Sequence, residues 1–252
     1  MRIIAIAKNT FKEALRGKMF NIMLIFALVT IGSTKMFSFF TPREEMKMIK
    51  DMGFFFITIF GLLIAVILGA RLITEELGKK TIYAVLSKPV HRYELILGKL
   101  FGAMFALFIN LCFMTGVFLS VLYLKERVLN FEIFKAMFLI FISLSLLSSI
   151  AIMFSTFSTM WISITLTLFI YIVGNIFEYL RHLASKGSAI LKFALDGAYY
   201  LLPNFGNFNV NRDIVHGTAV SVLHILKVTV YGLNYIIIFT LLAILFFRKR
   251  EV

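Results

Sequence analysis

The sequence predicts an all-α membrane protein with six transmembrane helices, and three observations carry that expectation. First, 60% of the 252 residues are hydrophobic and the mean hydropathy is +0.93. A soluble domain holds about 45–50% apolar residues. A soluble fold would have to expose the surplus to water, whereas a bilayer accepts it. Second, the apolar residues gather in six runs, at roughly 19–40, 53–73, 97–124, 133–155, 160–180 and 219–247. Each is near the ~20 residues that a helix needs to cross a hydrocarbon core. Third, these Phe-, Leu- and Ile-rich runs lack the ~10-residue alternation of a transmembrane barrel. The 26 basic residues exceed the 13 acidic ones, for a net charge of +13. They stand mostly at the ends of the apolar runs, where headgroups lie, so nucleic acid is not expected as a partner. No repeat, low-complexity tract or Pro/Gly linker divides the chain, and 1–252 reads as one domain.

Taken in order, residues 1–18 form the first element. Ile4, Ala7, Phe11 and Leu15 recur at helical spacing, while Lys8, Asn9, Lys12, Glu13 and Arg16 fill the other face. That pattern suits an amphipathic helix lying in the membrane interface. Gly17 offers a break before the first span; the alternative is a plain extension of that span. The first apolar run is too long for a signal h-region and no A-x-A-like site follows it, so no cleavable leader is expected. Residues 41–52 read as a short charged loop. With the N-terminus inside, six spans return the C-terminus inside. The cytoplasmic side then carries 14 Lys and Arg against 10 outside, with Lys35 and Lys227 within or near spans. This bias fits the positive-inside rule and a multi-pass protein of the cytoplasmic membrane. Residues 155–159 make a tight turn between spans four and five. Two connections are long, 71–99 inside and 181–217 outside, and long connections tend to carry function.

In the inner stretch, Gly78 suits the end of an extended span two. A short helix follows, with Ile82, Val85 and Leu86 on one face. Ser87-Lys88-Pro89 stops it, since the residue before proline avoids helix. Arg92 and Glu94 then lead into span three. A short helix within 74–90 would thus be held between two spans, presenting an apolar patch edged by charge. The residues leave two readings open: a handle for another protein, or a loop resting on the bilayer.

Glu75 and Glu76, Gly78, Thr81, Leu86, Pro89, Arg92 and Gly98-Lys99, in that order, resemble the signature of ABC-2-type transporter permeases. In that family an acidic residue, Gly-Thr, Leu, Pro-Val-Ser-Arg and a closing Gly-Lys succeed one another. Here Lys79 and Lys80 separate Gly78 from Thr81, and His91 stands where Ser is usual. The stretch from Ala7 to Glu13 is similar to the family's entry helix. Leu202-Pro203-Asn204-Phe205 through Asn209 is similar to its segment before the last span. Within the family, the chain is similar to the branch containing the permease of the nitrous-oxide-reductase maturation system. The resemblance implies an export subunit working as a homodimer with two copies of an ABC ATPase. It implies a coupling helix at 74–90 in which Glu75, Glu76, Gly78, Thr81, Ile82, Val85, Leu86, Pro89 and Arg92 meet the ATPase. Ser155 and Ser158 would make a second cytoplasmic contact. Short outer helices within 181–217 would dip toward the membrane, with Pro203, Asn204 and Phe205 as an outer cap. Membrane lipid surrounds such a subunit, and its outer face leaves room for an extracytoplasmic accessory protein.

No ATP site is expected in the chain itself. A P-loop requires G-x-x-x-x-G-K-[ST]. Gly98-Lys99 is followed by Leu100 and preceded at the Gly offset by Tyr93; Gly78-Lys79 has Ile73 there. ATP and Mg would be bound by the partner. The histidines at 91, 182, 216 and 224 have no metal-ligand spacing and Cys112 is the single cysteine, so neither metal nor catalytic residues are expected. Lys35, Glu178 and Lys227 read as snorkelling charges near span ends. Gly98 and Gly102 form a GxxxG that permits close helix approach; Asn110, Asn175 and Asn234 are expected to bond between helices or, as the second reading, to line a pathway. Two other functions remain open at this point. One is a force-transmitting subunit that moves nothing across; the other is a lipid-acting enzyme drawing on Glu178, His182, Asp213 and His216.

Overall fold

A computed structural model describes residues 2–16, 22, 25–26, 28–30, 32–33, 42–78, 91–126, 131–184, 202–215, 218 and 220–249. We number the helices α1 (Arg2–Arg16), α2 (Pro42–Gly78), α3 (Arg92–Glu126), α4 (Glu132–Ser155), α5 (Met160–Ala184), α6 (Asn211–Val215) and α7 (Val222–Lys249), with a 3-10 turn at Phe205–Phe208. The described residues contain no strand. Five helices among them, α2, α3, α4, α5 and α7, are long and apolar enough to cross a membrane. The expected span at 19–40 lies mostly outside the described residues. Those described within it are helical, and its Phe26 is buried edge-on to Phe60, ring centroids 5.8 Å apart.

One expectation is corrected at the start of α2. Most of the stretch expected as a short charged loop, 42–52, is helix, so that α2 runs for 37 residues, about 55 Å at 1.5 Å per residue. The local chemistry favours this. Pro42 occupies the first helical position, where its missing N–H has no partner to lose. Glu44 and Glu45 stand in the first turn, where carboxylates suit the helix dipole. Ile49 is buried, and Glu45 pairs with Lys125 at the far end of α3.

The bundle is built around α4, whose membrane-length window is 78% buried and which packs against α2, α3, α5 and α7. Its buried face is mostly Ile, Leu, Met and Ala, with Ser145, Ser148 and Ser149 among them. By contrast α5 and α7 bury only 22% and 33% of theirs. Their exposed Trp161, Phe169, Ile172, Leu226, Ile237 and Leu241 need a non-aqueous surrounding, which a bilayer supplies. At the Glu132 end of α4, Lys135 donates to Glu132 and to the carbonyl of Val220, so that the chain entering α7 is tied to α4.

Candidate functional site

Elements separated in sequence converge at one end of the bundle. The end of α2, the start of α3, the 156–159 turn, the last turn of α7 and helix α1 all meet there. Residues 79–90 leave from this end and return to it. Of the expected coupling residues, Thr81, Ile82, Val85, Leu86 and Pro89 lie outside the described residues; Glu75, Glu76, Gly78 and Arg92 lie within them.

Glu76 and Lys99 close the root of this excursion. Lys99 is 2% exposed, and its Nζ donates to Glu76 Oε1 at 2.7 Å and to the carbonyl of Leu72 at 2.5 Å. A buried ammonium is tolerated only when paired and hydrogen-bonded, so this geometry fixes α2 against α3. Glu75 turns the other way, accepting from Arg71 Nε at 2.5 Å one helical turn earlier. Glu13 of α1 is close enough to add to the field at Arg71. The chain re-enters helix sharply at His91, whose backbone N–H donates to Glu94 Oε2 at 2.9 Å. This is one arm of a capping box.

Arg92 reaches across to α7. Its Nη1 donates to the carbonyls of Phe247 at 2.9 Å and Arg248 at 3.1 Å, and its guanidinium lies 5.8 Å from the Phe247 ring centroid. These carbonyls belong to the last turn of a helix, which has no intrahelical donors for them and favours a cation. The return limb of the 79–90 excursion is therefore fastened to the last helix.

The Gly98/Gly102 pair seats α1. A Cβ on Gly98 would lie 2.7 Å from the Ile6 Cβ, and one on Gly102 would lie 2.6 Å from the Thr10 Cβ and 2.7 Å from the Ala7 carbonyl oxygen. Only glycine permits this approach. The face of α1 that packs carries Ile6, Thr10 and Ala14, with Thr10 and Ala14 buried, while Ile4 and Leu15 of the expected apolar stripe are exposed. The helix thus has three sides: one on α3, one apolar and exposed, and one bearing Lys8 and Lys12.

At the α4–α5 turn, Ser155 is fully buried and its hydroxyl bonds the Ile152 carbonyl. Ser158 bonds the Phe154 carbonyl and Ser163. The surface of this turn is instead formed by Phe157, which packs edge-on against Phe246, and by the neighbouring Trp161, 75% exposed. The one tryptophan in the chain, standing beside the turn, was the available sequence signal.

At the opposite end, Pro203, Asn204 and Phe205 form a packed plug. Asn204 caps the 3-10 turn through Gly206 N and receives its own backbone bond at 2.8 Å by donating to the Tyr231 hydroxyl. Phe205 meets Tyr171, and the Pro203 carbonyl would lie 2.5 Å from a Cβ on Gly174. Beside this plug is a cavity of about 560 Å³ bounded by α2, α4, α5, the 3-10 turn and α6. Residues 185–201, expected on the outer side, lie outside the described residues, as do the side chains of Glu178, His182 and His216. Asp213 is exposed.

Asn175 Nδ2 donates within its own helix to Tyr171 and the residue lines this cavity, Asn234 is exposed, and the buried Asn110 has no hydrogen-bond partner among the described residues. Lys227 and His224 are exposed.

No curated protein matches the chain. A family profile described as "ABC-2 family transporter protein" matches residues 4–252, which takes in α1, the braced end, the plug and the last helix together. The chain belongs to the ABC-2 family of transporter membrane proteins.

Proposed function

We propose that this chain is the membrane subunit of an ATP-driven exporter in the cytoplasmic membrane, with both termini inside, coupled to a separate ABC ATPase. Members of this family work with such an ATPase. The observation that carries the reading is the bracing of the 79–90 excursion. One root is locked to α3 by Glu76 and Lys99, and the other to α7 by Arg92. A push on residues 79–90 is then delivered to three membrane-length helices at once. In this reading the coupling surface is Thr81, Ile82, Val85 and Leu86, with Phe157 and Trp161 as a second contact in place of the inward-facing Ser155. Pro203, Asn204 and Phe205 cap the outer end. Two copies of the chain pair through membrane-exposed faces and seat two ATPases. A force-transmitting subunit would share the braced excursion but would have no use for the cavity, which favours translocation.

The test is site-specific photocrosslinking. A photoreactive residue at Leu86 or at Phe157, in membranes from cells expressing the full chain, is expected to capture a P-loop ATPase. The same residue at Asp213, at the opposite end, is expected to capture none. Absence of an ATPase adduct at both Leu86 and Phe157 would defeat the proposal.

A further inference from the structure

We infer that the cavity beside the Pro203–Phe205 plug binds an amphiphilic organic cation, and that this is the class of molecule the subunit moves; the second clause rests on the transporter reading above. The chain carries 26 basic residues against 13 acidic ones, so a cavity taken at random would be expected to meet a Lys or Arg. Among the described residues, none lines this cavity. Among the described lining residues the one carboxylate is Asp51; the other polar groups are the amides of Asn175, Asn209 and Asn211 and the hydroxyls of Thr58, Ser143 and Tyr171, none of which carries a positive charge. Asn211 Oδ1 is buried without a hydrogen-bond partner. Asn175 gives one N–H of Nδ2 to the Tyr171 carbonyl, and its Oδ1 can accept from a ligand. Thr58 spends its hydroxyl proton on the Phe54 carbonyl. Lys47, one turn from Asp51 on α2, is exposed, and no ion pair joins the two.

The rest of the wall is apolar and aromatic: Phe55, Phe205, Phe208 and Tyr171 among aliphatic side chains. Ring faces attract cations and give nothing to an anion. A carboxylate with neighbouring amide oxygens selects ammonium N–H donors by charge and by hydrogen bonding. The volume is within the roughly 300–1,000 Å³ range of small-molecule sites. An inorganic cation would leave the aromatic wall unused, and a neutral lipid would leave Asp51 unpaired, so an organic cation with an apolar body fits best, whether or not it carries N–H donors.

The experiment uses the full chain in lipid nanodiscs and two probes of the same shape and opposite charge, tetraphenylphosphonium and tetraphenylborate, with empty nanodiscs as background. Saturable binding above background is expected for the cation alone. Asp51→Asn, at an exposed site with no hydrogen-bond or ion-pair partner among the described residues, is expected to weaken it at least about tenfold, the scale of one close charge contact. Ser143→Phe, which fills the cavity, is expected to abolish it. Equal binding of both probes, binding of neither, or cation affinity unchanged in Asp51→Asn would overturn the inference. ATPase capture at Leu86 is read separately on the otherwise unaltered chain. Capture without cation binding removes the substrate class and keeps the transporter reading; cation binding without capture does the reverse.

Discussion

Lys99 is the residue that holds the braced end together. Its charge is buried and held by one carboxylate and one helix carbonyl. Removing one partner of such a pair strands the other. Lys99→Met is therefore expected to destabilise the chain by about 2–3 kcal/mol, below the fully buried range because Glu76 is partly exposed. The double variant Glu76→Leu with Lys99→Met should recover most of that loss, since apolar replacement of both partners is often neutral. Thermal unfolding in detergent, run as a double-mutant cycle, checks both outcomes. A double variant no more stable than the single one would show that the pair does not act as a unit. Gly98-Lys99 was legible in the sequence as the close of a motif. Its partner was not, because Leu72 and Glu76 stand 27 and 23 positions away and no local spacing encodes that contact. The inward turn of Ser155 was hidden for a related reason: a small polar residue at a helix end satisfies itself on a carbonyl as readily as it faces a partner.

At the scale of elements, α1 is held by steric fit. Gly98→Leu with Gly102→Leu is expected to dislodge it, because each new side chain would occupy the space of Ile6 or Thr10. Overpacking of this kind costs about 1–3 kcal/mol per site, enough to free a helix held on one side. Amide hydrogen exchange across residues 2–16 should then rise at least about tenfold while exchange in α4 stays slow; unchanged protection in α1 would refute the seating. The five membrane-length helices among the described residues were legible because apolar runs of the right length have few alternatives in a bilayer. Their ends were less so. The charge of residues 43–51 masked a helix whose signals were Pro42, the paired glutamates and a single buried Ile49. The cavity was not legible at all, since it assembles residues from five elements.

For the whole molecule, the two ends differ in charge as well as in architecture. Among the described residues, Lys8, Lys12, Arg71, Arg92, Lys99, Arg248 and Lys249 outnumber Glu13, Glu75, Glu76 and Glu94 at the braced end, whereas at the other Lys47, Lys50, Lys125, Lys135 and Lys227 are matched by Glu44, Glu45, Asp51, Glu132 and Asp213. With Cys112 replaced by serine, an impermeant maleimide applied to intact cells is expected to label Asp213→Cys at once and Lys8→Cys only after permeabilisation. The reverse pattern would invert the assigned orientation.

The clip between Lys99 and the end of α2 also makes the peptide bonds of residues 79–90 dispensable for holding the bundle together. The two flanking helices are already joined through side chains, so the covalent link through 79–90 is not what holds them together. Two separately expressed fragments, ending and beginning within 79–90, should therefore reassemble in the membrane into a stable pair that co-purifies, yet one deaf to any signal arriving through the severed handle.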